Sequence, residues 1–323
     1  MKILVTGGAG FIGSHVSEEL LVRGDEVVSI DNFNDYYNPK IKDRNIIDCC
    51  NRDNFKLYKG DILDYSLMKN IFAREEPKKI IHLAARAGVR PSINDPFLYQ
   101  EVNVRGTLNL LELAKEFNLE NFVFASSSSV YGNRTDGCFK ETDNVDKPIS
   151  PYAASKKAGE LFCYNYSYLY HLNCSCLRFF TVYGPRGRPD MAPFKFVDKI
   201  ANKEEMEIYG DGSSKRDYTY VSDIVEGIIS ALDGNFKYEI FNLGGENPVE
   251  LNYFVSLMEN NLNKKARIQY LERQQGEVEM TFADCSKSRE MLGYEPKVSI
   301  EEGVRRLVEW YNNDRERIED GSK

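Results

Sequence analysis

Short apolar runs alternate with amphipathic segments of helical length through the first half of the chain. Ile3 to Thr6, Glu26 to Asp31, Phe55 to Lys59, Lys79 to Leu83, Phe122 to Ser126 and Ser175 to Phe179 have the length and apolar density of buried strands. Helical patterns fall between them at Ile12 to Arg23, Phe97 to Phe117 and Tyr152 to Tyr170. Strand and helix in alternation predict a parallel sheet covered by helices on both faces. After Phe180 the rhythm breaks into a loop-rich stretch, Thr181 to Pro193, where the chain is expected to leave the sheet. A helix from Asp223 to Leu232 and a strand from Tyr238 to Leu243 predict a return. An amphipathic helix from Ile300 to Ile318 closes the chain. The expected division is one domain over 1–182, with 216–245 returning to it, and a smaller lobe from 183–215 and 246–323. No flexible linker separates them, so a shared cleft is expected.

The first strand runs straight into Gly7-Gly8-Ala9-Gly10-Phe11-Ile12-Gly13, a helix follows, and the second strand ends on Asp31. That context makes the glycines a dinucleotide fingerprint and the fold class a Rossmann-type, doubly wound α/β sheet with a smaller α/β substrate-binding lobe. Gly7 allows a tight turn, Gly10 lets a pyrophosphate reach the backbone, and Gly13 lets helix and strand pack closely. Asp31 stands where a carboxylate accepts the adenine ribose hydroxyls and repels the extra phosphate of NADP, which makes NAD the expected cofactor. The alternative for Asp31 is a turn residue beside Asn32. Asp61, after Lys59-Gly60, is either an adenine contact or ordinary turn chemistry.

Composition narrows the classes. A net charge of −8 without a long basic run argues against nucleic acid or an acidic membrane as partner. Seven cysteines with no C-x-x-C pair imply a reducing compartment, hence a cytoplasmic location. His15, His82 and His171 lack metal-ligand spacing, so no metal site is expected. No signal peptide is read ahead of the first strand, and no apolar run approaches the roughly 18 residues of a membrane helix.

Ser150-Pro151-Tyr152-Ala153-Ala154-Ser155-Lys156 carries the candidate chemistry. Ser150 suits an N-cap and Pro151 the first helical position, and Tyr152 and Lys156 then share a helix face. A phenol loses its proton near pH ~10, too high for a base at neutral pH. A lysine ammonium, a helix N-terminus and an oxidised nicotinamide would each favour the phenolate. A Tyr-x-x-x-Lys spacing also occurs on solvated helix surfaces. Its place after the strand ending Ala125-Ser126-Ser127-Ser128-Ser129, whose hydroxyls lie at a carboxyl-end sheet edge, favours the catalytic reading.

The segments TGGAGFIGSH, HLAARAGV, SSSSVYG, SPYAASKKAGE and LRFFTVYGPRGRPDM resemble the nucleotide-sugar epimerases of the extended short-chain dehydrogenase/reductase family, over nearly the whole chain. Within it the chain is most similar to the UDP-glucuronate 4-epimerases, through DNFNDYYNPKIK and FFTVYGPRGRPDM. The resemblance implies Tyr152 as general base, Lys156 as its support and Ser127 as the hydroxyl bonded to the reacting sugar oxygen. It implies Thr181 near the nicotinamide, Arg216 on the diphosphate, Tyr209 against uracil, Glu277 on the uridine ribose and Asn103 lining the site. The bland alternatives are a lobe-interface Arg216, a core Tyr209 and a structural Asn103. Further candidate cofactor contacts are Phe11, Ile12, Asn32, Ile62, Leu83, Ala84, Ala85, Ser126 and Phe179. Arg90, Ser128 and Arg188 join the substrate contacts.

The implied reaction is oxidation at C4 by NAD, turning of the 4-keto sugar, and reduction on its other face. Ser128-Ser129 stand where related dehydratases carry Asp-Glu, and decarboxylating relatives tend to have Glu at the second of these positions, so both reactions are disfavoured. With UDP-glucuronate the carboxylate must be held, by Thr181 and the serines or by Arg188, which alternatively contacts the diphosphate. The rivals are a UDP-glucose or UDP-N-acetylglucosamine 4-epimerase, a reductase or synthase that releases reduced cofactor, and a non-catalytic scaffold. Family members are usually homodimers joined by the helices near Phe97 to Phe117 and Tyr152 to Tyr170, so a homodimer is implied.

Overall fold

The computed structural model describes residues 1–134, 137–272 and 278–322, with side chains described to residue 314 in the last segment. Its strands are β1 (Lys2–Thr6), β2 (Glu26–Asp31), β3 (Phe55–Lys59), β4 (Lys79–His82), β5 (Asn121–Ser127), β6 (Cys174–Phe179), β7 (Thr181–Tyr183), β8 (Glu205–Tyr209), β9 (Lys215–Tyr220), β10 (Tyr238–Leu243), β11 (Pro248–Glu250) and β12 (Arg267–Leu271). Its helices are α1 (Phe11–Val22), α2 (Pro39–Asn45), α3 (Ile47–Cys50), α4 (Tyr65–Glu75), α5 (Val89–Asn94), α6 (Pro96–Tyr99), α7 (Gly106–Glu116), α8 (Pro151–Tyr170), α9 (Ala192–Ala201), α10 (Val221–Asp233), α11 (Leu251–Leu262), α12 (Ser286–Leu292) and α13 (Ile300–Ser322).

Seven strands form one sheet in the order β10-β6-β5-β4-β1-β2-β3. Every neighbouring pair in it is parallel. Strand order reverses between β1 and β4, and ligands of such sheets bind outside the carboxyl ends at that reversal. Side chains alternate across the sheet with the period of two that a pleated strand dictates. Ile3 and Val5 pack with Val16 and Leu20 of α1, while Leu4 packs with Met68 and Phe72 of α4 and Leu110 of α7. Both faces are therefore dry, and each fully buried aliphatic side chain contributes roughly 1.5–3 kcal/mol.

The segment expected as one helix over Phe97 to Phe117 is interrupted. Between α6 and α7 the backbone is wound more widely, as a π-helix, over Gln100–Arg105. The return to the large sheet also starts later than the expected residue 216. Lys215–Tyr220 pairs with β7 and β11 in a separate three-stranded sheet, and β10 is the strand that joins β6. A two-stranded sheet of β8 and β12 completes the second part. Asp217 ties these pieces together: fully buried, it accepts from the backbone N–H groups of Gly245 at 2.6 Å and Ala283 at 2.9 Å.

No described helix is long and apolar enough to cross a membrane. All seven cysteines are free thiols. Among the described residues no three His, Cys, Asp or Glu side chains gather as metal ligands.

Candidate active site

A cavity of about 450 Å³ opens at the strand-order reversal. The turn after β1, the carboxyl ends of β2 to β6 and the segment from Phe180 to Phe194 all contribute to its walls. One continuous space thus connects the glycine turn to the helix that carries Tyr152 and Lys156.

At its cofactor end the glycines are required by space. Gly7 has φ +70°, and a Cβ on it would lie 2.8 Å from the backbone nitrogen of Ala84. A Cβ on Gly13 would lie 2.2 Å from the carbonyl oxygen of Gly7. α1 begins directly after Gly10, with no side chain capping it and no acidic residue in its first turn. Its first N–H groups therefore offer an anion site bounded by Gly10, Phe11, Ile12 and Gly13, and these residues fit the pyrophosphate of a dinucleotide.

Asp31 lines the cavity at the end of β2, and Asn32, Asp61 and Ile62 lie beside it. Its carboxylate accepts from the Phe33 N–H at 2.9 Å and is ion-paired with Lys42 of α2 at 3.1 Å. Both side chains of that pair are buried. The turn role is thus filled by a side chain that also faces the cavity. Asn32 donates to Asp61 at 2.8 Å, and Asp61 also accepts from the Leu63 N–H at 2.9 Å. Lys42 carries no role in the sequence reading, although it lies in the quoted segment DNFNDYYNPKIK.

At the other end stand Ser127, Tyr152 and Lys156, all lining the cavity. Ser150 caps α8, accepting from the Ala153 N–H at 3.1 Å, and Pro151 opens the first turn. That start aims Tyr152 at the carboxyl end of β5. Burial pushes the Tyr152 phenol up, while a hydrogen bond with Ser127 and the charge of Arg188 pull it down. Lys156 donates to the carbonyl of Ala125 at 2.8 Å, and burial lowers its pKa to about 8. Ser127 also donates to the Ser129 hydroxyl at 3.1 Å.

The serine run does not act as a set. Ser126 borders the cavity, but its hydroxyl donates at 2.6 Å to Glu160, which is fully buried on α8. Glu160 in turn holds Arg178 of β6 through two bonds of 2.8 Å. Asn103 corrects the expectation that it lines the site. It is 1% exposed and absent from the cavity walls. Its oxygen accepts from the Arg86 N–H at 2.8 Å, and its nitrogen donates to the Arg86 carbonyl and to Ser155, each at 2.9 Å. The amide is spent on joining the loop after β4 to α8.

Leu83, Ala84, Ala85, Phe179, Ser128, Thr181 and Arg188 all line the cavity. Arg188 is held by Asp190, with Nε donating at 3.0 Å and Nη2 at 2.6 Å. Arg90, Tyr209 and Arg216 lie outside the lining residues. Arg90 and Tyr209 do meet, with the guanidinium 4.3 Å from the ring centre. Arg216 donates to the carbonyls of Lys215 at 2.9 Å and Glu279 at 3.3 Å. Glu277 lies outside the described residues.

A family model described as GDP-mannose 4,6 dehydratase matches residues 4–307. The chain belongs to that family. Within the GDP-mannose 4,6 dehydratase family, a UDP-glucuronate 4-epimerase of Thermodesulfobacterium geofontis is 46% identical over 308 residues, 95% of each chain. A crystal structure of UDP-glucuronic acid 4-epimerase from Bacillus cereus, in complex with UDP-glucuronic acid and NAD, superposes with a TM-score of 0.92 at 36% identity. It covers 97% of this chain and 99% of its own. A UDP-glucose 4-epimerase of Thermotoga maritima with UDP-glucose gives a TM-score of 0.90 at 33% identity, over 98% of this chain and 100% of its own. The extended short-chain dehydrogenase/reductase fold read from the sequence is therefore the fold of this chain.

Proposed function

We propose that this chain is a UDP-glucuronate 4-epimerase, an isomerase that interconverts UDP-glucuronate and UDP-galacturonate with NAD as its resident cofactor. One observation carries the choice of reaction. Among the described residues that line the cavity, the carboxylates are Asp31 and Asp61, at the ends of β2 and β3, while Ser127, Ser128 and Thr181 bring hydroxyls to the same space as Tyr152. A dehydratase needs an acid to protonate a departing hydroxyl; an epimerase needs one base and donors that hold the sugar.

Gly7, Gly10, Gly13, Asp31 and the ends of β4 to β6 would hold NAD, which when bound supplies a reversible acceptor of hydride. Tyr152 takes the proton of the C4 hydroxyl and gives it back on whichever face the 4-keto sugar presents. Lys156 supports the phenolate, and Ser127 bonds the reacting oxygen. Arg188 lines the cavity with Nε and Nη2 already engaged by Asp190. We assign the sugar carboxylate to Ser128 and Thr181, with the Nη1 edge of Arg188 as the other donor in the cavity; the group that binds it must hold it out of the geometry in which a β-keto acid loses CO2. Arg90, Tyr209 and Arg216 belong on the nucleotide side of the substrate.

The test is incubation with UDP-glucuronate, UDP-glucose and UDP-N-acetylglucosamine without added NAD, with products read by NMR. UDP-galacturonate without CO2 is the expected product. Turnover of a neutral sugar alone would keep the chemistry and remove the carboxylate role, while a UDP-pentose would replace epimerisation by decarboxylation.

We also propose a homodimer. α8 exposes Leu161, Tyr164, Tyr168 and Leu169, and Phe97 of α6 is 81% exposed. Large apolar side chains on neighbouring helices mark an association face. Tyr168→Glu together with Leu161→Lys should convert a dimer into a monomer in light scattering, and a parent that is already monomeric would overturn this. The free thiols fit the cytoplasm as the compartment, which cell fractionation checks.

A further inference from the structure

Three loops meet over the cavity, and each follows a different strand. Tyr36 comes from the loop after β2, Arg86 and Ala87 from the loop after β4, and Arg188 and Asp190 from the loop after β7. Tyr36, Arg86, Ala87 and Arg188 all line the cavity. The Tyr36 ring has the Arg188 guanidinium 5.2 Å from its centre and the Arg86 guanidinium at 5.6 Å. Its hydroxyl donates to Oδ2 of Asp190 at 3.3 Å. The same oxygen accepts from Nη2 of Arg188 at 2.6 Å, and Nη2 is 3.4 Å from the Ala87 carbonyl.

Outside this cluster each loop is held down by its own contacts. The Asn32 and Asn34 side chains accept from the N–H groups of Asn34 and Tyr36 at 3.1 and 3.2 Å, which stiffens the first loop. Arg186, with φ +62°, donates to Glu18 at 2.7 Å and to the Asn45 carbonyl at 3.2 Å, which pins the third. At the cavity, by contrast, the loops are joined by two long hydrogen bonds and by cations on an aromatic face, and Asp190 keeps 34% of its side-chain surface in water. Rigid ends with a weak, wetted junction between them describe a closure that opens without disturbing its supports.

We propose that Tyr36, Asp190 and Arg188 form a clasp across the mouth of the cavity whose opening limits exchange of the bound dinucleotide. This rests on the cofactor reading above. An enzyme that must return the hydride it takes gains from slow exchange, because loss of the cofactor in mid-cycle strands a keto sugar. Asp190 and Tyr36 act here as positioning residues: Asp190 fixes the Arg188 fork, and Tyr36 links that fork to the loop that leaves Asp31.

The experiment uses the purified holoenzyme and isotope-labelled NAD, with exchange followed by mass spectrometry. Asp190→Asn, which weakens the acceptor for both partners, should speed exchange about tenfold, equivalent to ~1.4 kcal/mol of barrier. Tyr36→Phe, which keeps the ring and removes the hydroxyl, should speed it severalfold, and the double variant should gain less than the product of the two effects because both break one junction. Unchanged exchange in both variants, or effects that multiply, overturns the clasp while leaving the cofactor reading intact. A parent protein that neither carries nor takes up NAD overturns that reading and the clasp with it.

Discussion

Tyr152→Phe should lower kcat by roughly 10²- to 10⁴-fold, the range that one positioned general base supplies, with folding and bound NAD unchanged. The substitution removes one oxygen and leaves the ring, which packs edge-on against Tyr99 with centroids 6.2 Å apart. Single-turnover assays on UDP-glucuronate, with cofactor content and circular dichroism as controls, check it; activity within a few-fold of the parent would remove Tyr152 from the chemistry. The same site predicts a pH effect. Burial raises the Tyr152 pKa, so its ionisation depends on the positive charge brought near it. Arg188 brings that charge, and it pulls the phenol down against burial. Arg188→Met removes it, so the acid limb of the kcat/KM profile should move to higher pH.

Arg178→Met should cost about 3–5 kcal/mol of stability, because it leaves a carboxylate buried without its partner. Arg178 is 1% exposed, its guanidinium lies 4.8 Å from the Tyr131 ring centre, and Glu160 is fully buried against it. Chemical denaturation measures the loss, and a change under 1 kcal/mol would mean that water reaches the pair. Glu160→Leu added to Arg178→Met should recover much of the stability, since an apolar pair of similar volume removes the desolvation cost on both sides.

The pH sign separates charge from packing. Burial pushes the Glu160 pKa up, but the bonds from Arg178 and Ser126 outweigh it and the net direction is down. In the parent this stabilisation is complete above the unfolded carboxylate range and is lost as pH falls through the lower folded value. In Arg178→Met burial is unopposed by that guanidinium, the folded value rises, and the deficit should shrink toward acid pH.

The strand at Glu26–Asp31 has the bounds that the apolar pattern predicts, because a strand buried on both faces shows its ends as changes of polarity; the edge strand Tyr238–Leu243, half-buried at its start, has its predicted bounds as well. The start of the helix that carries Tyr152 and Lys156 was equally legible: a capping serine and a proline at the first turn agree with its beginning at Pro151. The helix expected over Phe97 to Phe117 failed for the converse reason. Apolar spacing records which face is buried, but the wide winding at Gln100–Arg105 accompanies hydrogen bonds that Asn103 donates to a loop and a helix distant in sequence.

By itself the sequence determined the doubly wound sheet, the dinucleotide turn and the Tyr-Lys helix, since glycine sterics, capping and strand period are local and leave local traces. Only the tertiary structure decided how polar side chains are spent. Asp31 proved to be paired with Lys42, Ser126 turned to Glu160, Asn103 withdrawn into a buried bridge, and Arg188 half occupied by Asp190. A carboxylate, amide or guanidinium has the same letter whether it faces a ligand or another side chain. Its partner is fixed by which strand ends the fold brings together, and that follows from the packing of the whole chain.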